Sequence, residues 1–424
     1  MLEITTYDFN LKKRTNILDD KQAGITKTVK AIGDAVRTNG DRSIIAYTKQ
    51  FDAPNADDSF SLIVSQSEID DAYTHVTPEF KEAMLLAKKN ITAFHSEQQP
   101  QSWQKPCSIG SYGMQYNPIE IVGLYVPGGQ ALYPSSVLMN AIPAKIAGVS
   151  QLIITSPPRS DGSLAPEIIV SAVECGVDRI IKVGGAQAVY GLAYGSDSIP
   201  AVDKIVGPGN RYVDTAKQAV YGLVDIDKPA GPSEVCVFID SIDYAAYAAA
   251  ELFAQCEHDE DASGIIIATD LDILKHVQLE LTKQFSTLKR QHIIKKSLSN
   301  SALHHVSDLN EAIDVMNDIA SEHLCLISDN AESIRAKIKH AGAIFCGPYT
   351  PVALGDYIAG PNHVLPTARA ARFSSALSVF DFVKFSSFLS STKDSLLAIQ
   401  PALDSLTSIE SLDAHNKTIT IRLS

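Results

Sequence analysis

The chain lacks the features that settle a protein's class at once. No Cys-x-x-Cys pair occurs among its six cysteines, Cys107, Cys175, Cys236, Cys256, Cys325 and Cys346. Their wide spacing argues against a disulfide framework. Several sit in apolar runs such as Val235-Cys-Val-Phe-Ile, so reduced, buried thiols in a cytoplasmic protein are expected. Basic residues are in deficit: 36 Lys and Arg against 49 Asp and Glu give a net charge of −13. That argues against a general nucleic-acid binder, whose affinity comes mostly from phosphate neutralisation. It leaves room for a local pocket that takes a dinucleotide. No apolar run approaches a membrane span, and the opening Met-Leu-Glu-Ile-Thr-Thr-Tyr-Asp lacks the basic and apolar regions of a signal peptide. Trp103 is the single tryptophan; there is no fixed-period repeat, no low-complexity tract and no Gly-x-Gly-x-x-Gly dinucleotide fingerprint.

What is present is a chain of 424 residues, 45% hydrophobic and 20% charged, long enough for two or more cored domains. Residues 1–19 read as a polar arm. From about 20 to 97 the periodicity is helical, with Ile25, Val29, Ile32 and Val36 three or four apart. Pro100–Gly113 reads as a loop. Short apolar runs then alternate with amphipathic segments. Strands are expected at Ile119–Val126, Leu152–Thr155, Arg179–Val183, Asp203–Val206, Glu234–Ile239, Gly264–Ala268, Leu324–Ile327 and Ala343–Phe345, with helices between them. Continuous apolar strands separated by helices predict parallel sheets covered on both faces. Their number suggests two sheets, divided at the turn Pro229-Ala-Gly-Pro-Ser near residue 234. From about 378 the pattern is helical again and ends in a β-like tail, Thr418-Ile-Thr-Ile-Arg-Leu.

Three glycine loops follow strands directly: Val126-Pro-Gly-Gly129, Val183-Gly-Gly-Ala-Gln187 and Val206-Gly-Pro-Gly-Asn210. Glycine admits a phosphate or ribose close to the backbone, and a helix N-terminus favours anions. Three such loops in one domain suggest a nucleotide cleft at the carboxyl ends of the strands. Taken singly, each also reads as a tight strand–helix turn.

The residues that carry chemistry come later. Gln255 and His258 stand three apart at the end of an Ala-rich helix, so they project together and can hold a metal if further ligands arrive. Alone, the pair also reads as a helix-end His favoured by the helix dipole beside a solvated Gln. Glu322 and His323 lie at a helix-to-strand junction, where both can reach one cleft as separate proton-transfer groups. Alone they also read as surface residues. Asp356 and His363 share a Gly- and Pro-punctuated loop; a carboxylate there suits a metal or simply a turn. Glu410 and His415 lie close to the C-terminus.

Taken together, Tyr125-Val-Pro-Gly-Gly, Gly184-Gly-Ala-Gln187, Gly207-Pro-Gly-Asn210, Ala230-Gly-Pro-Ser-Glu, Gln255-Cys-Glu-His258, Ser321-Glu-His323, Gly355-Asp-Tyr, Asn362-His-Val-Leu-Pro-Thr and Leu412-Asp-Ala-His415 closely resemble the histidinol dehydrogenase family. The resemblance runs from about residue 20 to the end, in order and at compatible spacings. Cys256 departs from it, standing where Ala is common. The loop Arg159-Ser-Asp-Gly-Ser-Leu looks longer than in some members.

The resemblance implies a zinc enzyme of histidine biosynthesis that oxidises L-histidinol through L-histidinal to L-histidine with two NAD. It assigns zinc to Gln255, His258, Asp356 and His415, and catalysis to Glu322 and His323. NAD falls to Tyr125, Gln187 and Asn210. Substrate falls to Ser233, Gln255, His258, His323, Asp356, Glu410 and His415. The implied fold is α/β, with two incomplete Rossmann-like, aldehyde-dehydrogenase-like domains. Residues 20–125 with 235–377 are expected to form the domain carrying metal and catalytic groups, and 126–234 the domain of the NAD loops. Residues 1–19 are an arm, and 378–424 a dimer-exchange segment through which a homodimer shares its active sites. One rival reading is a zinc hydrolase in which Glu322 activates a metal-bound water; the glycine loops disfavour it. A second is a non-catalytic nucleotide-binding module, which leaves Glu322 and His323 without a task.

Overall fold

The computed structural model describes residues 2–9, 20–128, 132–228 and 231–424. Most of the expected arm, Gly129 of the first glycine loop, and Pro229 and Ala230 lie outside them.

Among the described residues, fourteen strands form three sheets. In chain order, β1 is Ile4–Thr5, β2 Trp103–Cys107, β3 Gly110–Pro118, β4 Ile121–Tyr125 and β5 Gln151–Ser156. Next come β6 Arg179–Lys182, β7 Lys204–Val206, β8 Asp225–Ile226, β9 Glu234–Ile239 and β10 Ser263–Ala268. The last are β11 Ala302–His305, β12 His323–Ile327, β13 Ala343–Cys346 and β14 Val383–Ser390.

One sheet has the order β6-β5-β4-β7-β8, entirely parallel. Its residues alternate between two cores. Val122, Leu124, Leu152, Ile154 and Ile180 face one side; Ile153, Ile181 and Ile205 face the other. Helices cover both sides, so each strand reads as an unbroken apolar run. The second sheet, β1-β11-β10-β9-β12-β13, is also parallel and splits the same way. Val235, Val237 and Cys325 face one core, and Cys236, Phe238 and Leu324 the other.

The sheets divide the chain differently from the expected domains. β4 is the central strand of the five-stranded sheet. The helices Asp20–Asn39 and Pro78–Ser96 pack onto that same unit through Val29, Ile32 and Val36 on one face and Met84, Ala87 and Ile91 on the other. Residues 20–96 and β4 therefore belong with the glycine loops, not with 235–377.

Three further expectations are corrected. The segment read as a loop at 100–113 carries β2 and the start of β3, which join β14 in a small antiparallel sheet. It is mostly exposed, so it lacks the apolar alternation that announces a strand. β14 itself falls where the helical pattern was expected to resume. The β-like tail is helix, Asp413–Leu423; its β-branched residues are overridden by packing against the helix Lys393–Ile409. Among the arm's described residues is β1, added parallel to β11.

Candidate active site

The helix Ala245–Cys256 packs on the second sheet and ends where the strands begin. Glu251, Gln255 and His258 follow one face at helical spacing. Glu251 accepts a hydrogen bond from the backbone of Val352 at 3.3 Å, which ties this helix to the start of the short helix Val352–Tyr357. That second helix carries Asp356. It sits hard on the sheet because Gly355 has no side chain: a Cβ there would lie 2.6 Å from the Phe345 ring.

The catalytic candidates enter at a sharp turn. The helix Leu309–Ile319 is stopped by Ala320 in the left-handed region, φ 51°, a conformation strained for any residue but glycine. Ser321, Glu322 and His323 follow directly, all buried. Glu322 Oε2 accepts from the backbone N–H of Glu234 at 2.8 Å. His323 Nδ1 lies 3.1 Å from the carbonyl of Glu234 and 3.6 Å from Glu322 Oε2. The backbone of Glu234 thus fixes both groups. Its own side chain accepts from Ala368 N–H at 2.9 Å.

On the other side of the ring, His323 Nε2 lies 3.6 Å from Asp356 Oδ1. That is too long for a hydrogen bond, and Nε2 is buried without a partner. Gln255 Nε2 is likewise buried and unpartnered. Two such orphaned buried polar atoms are costly unless a bound group satisfies them. Rotating the Gln255 amide presents its oxygen at the same place, so an amide oxygen, the His258 imidazole and the Asp356 carboxylate suit a zinc ion.

Electrostatics support this. Burial pushes His258 down against the pull of Asp356, leaving a neutral, ligand-competent imidazole. Burial pushes Asp356 up, but His323, His363 and His258 outweigh it and hold the carboxyl below its usual range. Glu322 is pushed up to about 7, mainly by burial. Burial pushes His323 down, yet Glu322, Asp356 and the Glu234 carbonyl together raise it to about 9.

The second cluster lies at the carboxyl ends of β4, β6 and β7. Tyr125 is buried at the end of β4, and its hydroxyl accepts from Gly185 N–H at 3.1 Å. It therefore holds the Gly184–Gln187 loop. Gln187 is buried with Nε2 unpartnered. Asn210 caps the helix Arg211–Val220, its side-chain oxygen accepting from Tyr212 and Val213 N–H at 3.0 and 3.1 Å. β4 and β7 are neighbours whose connections run to opposite sides of the sheet, the switch point at which α/β sheets bind ligands.

Comparison with known proteins decides the family. The family model for histidinol dehydrogenase matches residues 15–423. The chain belongs to the histidinol dehydrogenase family. A histidinol dehydrogenase of Bacillus thuringiensis subsp. konkukian is 46% identical, with 99% of each chain covered. One from Halalkalibacterium halodurans is 47% identical over 92% of this chain and 91% of its own. The crystal structure of histidinol dehydrogenase from Elizabethkingia anophelis superposes with a TM-score of 0.91 at 32% identity, covering 100% of this chain and 98% of that one.

Within one chain of this histidinol dehydrogenase family member, not every expected residue comes together. Glu322 adjoins His323, His323 faces Asp356, and His258 is near enough to act on both; Gln255 lies on the helix end just before His258, and Ser233 stands immediately before Glu234, its carbonyl accepting from Ser263 N–H. Glu410 and His415 instead lie exposed on the C-terminal helix pair. Among the described residues, no group of three or more His, Cys, Asp and Glu side chains converges as a metal set. A single chain thus offers His258, Asp356 and the Gln255 amide.

Three residues not named as site residues from the sequence belong here. Glu251 and Glu234 have the roles above. His363 Nδ1 lies 2.8 Å from the Asp356 carbonyl and braces that helix end; its spacing seven residues beyond Asp356 on one loop was the available signal. Cys256 points away from the pocket, toward Ser297 and Ser301. Among the described residues, no helix is long and apolar enough to cross a membrane.

Proposed function

We propose that the protein is a zinc-dependent histidinol dehydrogenase that oxidises L-histidinol through L-histidinal to L-histidine with two NAD. The observation that carries it is buried Glu322 and His323 set against Asp356, with His258 near enough to act on His323 and Asp356 and with His323 Nε2 and Gln255 Nε2 buried and unsatisfied. Gln255, His258 and Asp356 of one chain, with His415 of a second copy, would hold zinc, and Ser233 and Glu410 would complete the substrate contacts. Bound zinc supplies a Lewis acid that fixes and polarises the substrate. NAD, held by Tyr125, Gln187 and Asn210, supplies the hydride acceptor.

The remaining work falls to the chain's own groups. His323 takes the alcohol proton as hydride leaves the carbinol carbon. A cation held by Asp356 would take up one of the anionic neighbours that hold the His323 proton, favouring the neutral form a base needs. Glu322 takes a proton from the water that adds to the aldehyde. The His323 imidazolium would return its proton to the carbonyl oxygen to complete the hydrate, and His323 would then take a hydroxyl proton as the second hydride leaves for a second NAD. A thiohemiacetal on cysteine is the competing route. Burial pushes Cys175, Cys236, Cys256 and Cys325 above the ordinary thiol range, which disfavours the thiolate that route needs.

The C-terminal segment supports a shared site. The helix Lys393–Ile409 buries none of its residues within its own chain, and Leu397, Leu406, Ile409 and Ile421 are exposed. An apolar surface of this extent is expected to be covered by a second copy. We read the five-stranded unit as the NAD domain, the six-stranded unit as the metal and catalytic domain, and residues 378–424 as the exchanged segment. The test is NADH absorbance on adding histidinol, with and without chelator. NADH formation that stops with chelator is expected; no NADH formation from the zinc-loaded protein rejects the reading.

A further inference from the structure

Lys217 is among the largest side chains in the molecule that are almost fully buried, and no step above uses it. It lies on the helix Arg211–Val220 that follows the glycine loop after β7. Its ammonium pairs with Asp227, just past β8, and both side chains are only 2% exposed. The pair closes on one residue. Gly207 N–H donates to Asp227 Oδ2 at 2.8 Å, and Gly207 C=O accepts from Lys217 Nζ at 3.0 Å. The Lys228 carbonyl lies 3.4 Å from the same ammonium.

Gly207 needs such a hold. Its φ is +115°, and a Cβ there would stand 2.1 Å from the Tyr125 carbonyl oxygen. The loop is thus pressed against the end of β4 in a conformation open essentially to glycine alone, and glycine is the residue that gains most freedom when released. A buried ion pair adds little net stability, because desolvating two charges offsets their attraction. What this pair supplies is direction: it takes both polar groups of the Gly207 backbone, while Asn210 pins the other end of the loop as helix cap.

We infer that Lys217 and Asp227 are positioning residues for the dinucleotide, setting the Gly207–Asn210 loop in its binding conformation before NAD arrives. This rests on NAD binding at that loop.

The test uses the zinc-loaded protein. The double variant Lys217→Met/Asp227→Leu removes both charges together, so no lone buried charge remains to unfold it. Asp227→Asn is the milder second variant, and carries the test alone if the double variant does not fold. Lys204→Met is the control: Lys204 is also buried and paired, to Asp225 at 2.9 Å, but it opens β7 and holds no group of the loop. Titration calorimetry with NAD is expected to show Kd raised about tenfold or more in the double variant, in line with losing hydrogen bonds to charged groups. KM for NAD should rise with it, while kcat at saturating NAD and KM for histidinol stay within about twofold. Lys204→Met should leave NAD affinity alone. A merely structural role would lower Tm and kcat with NAD affinity intact, and that result overturns the inference. Asn210→Ala separates the two readings. If it weakens NAD and the folded Lys217 and Asp227 variants do not, only the positioning role falls. If neither does, NAD binds elsewhere and both fall.

Discussion

His323 and Asp356 face each other across 3.6 Å, one at the start of a strand and the other on a short helix that arrives from beyond the sheet. His323 Nε2 carries no hydrogen bond across that gap.

The two buried catalytic candidates should separate by step. Glu322→Gln is expected to impair oxidation of histidinal more than oxidation of histidinol, because only the aldehyde step needs an activated water. His323→Asn should slow both by about 10²–10⁴-fold through lost proton transfer. Single-turnover assays started from each substrate check this; equal losses on both for Glu322→Gln contradict the division.

Metal removal should abolish turnover and spare the fold. Gln255, His258 and Asp356 hang on the six-stranded sheet, which has large apolar cores of its own, unlike a small domain folded by its metal. Circular dichroism of the dialysed protein is expected to match that of the loaded one. Full activity without metal would sink the zinc assignment.

His415 offers a counting experiment. His258→Asn and His415→Asn homodimers should each be inactive. Refolded together with random pairing, about half the dimers are mixed, one site in each is intact, and roughly a quarter of all sites recover. If His415 serves its own chain, every site carries a lesion and nothing recovers, although mixed dimers form.

Asp52 gives a pH signature away from the pocket. One of its oxygens is buried without a partner, and burial raises it from 3.8 to about 6. An acid raised in the folded state binds more protons folded than unfolded across that window. Stability therefore falls as pH climbs from 3.8 to about 6 and stays lower above it. Asp52→Asn should gain Tm relative to the parent through this window, then hold a constant advantage. A Tm difference independent of pH would mean the carboxylate finds a partner in solution.

Much of this was readable from the residues. The parallel strands stand out because both faces are buried; Glu234–Ile239 has the bounds expected for it. The glycine loops fall at carboxyl ends of strands, as the rule for α/β sheets requires. The second pocket breaks that rule. Glu234 and His323 open β9 and β12, so the site forms where those strands begin, and periodicity carries no sign of it. Domain membership was also hidden: Val29, Ile32 and Val36 announce a buried helix face but not which sheet covers it. The antiparallel β2, β3 and β14 were missed because Trp103, Tyr112 and Phe385 are exposed in one chain. Glu410 and His415 were legible only through the family pattern, since neither meets the pocket in its own chain.

The seclusion of the thiols reaches beyond the reaction. Peroxide attacks thiolates that solvent can reach. Cys175, Cys236, Cys256 and Cys325 are buried and held in the protonated form by that burial. In the proposed reaction the hydride would pass to the exchangeable cofactor, and none of these four side chains would take part. Peroxide therefore meets no exposed thiolate at these four buried positions, and on the proposed chemistry their oxidation would not be what limits turnover.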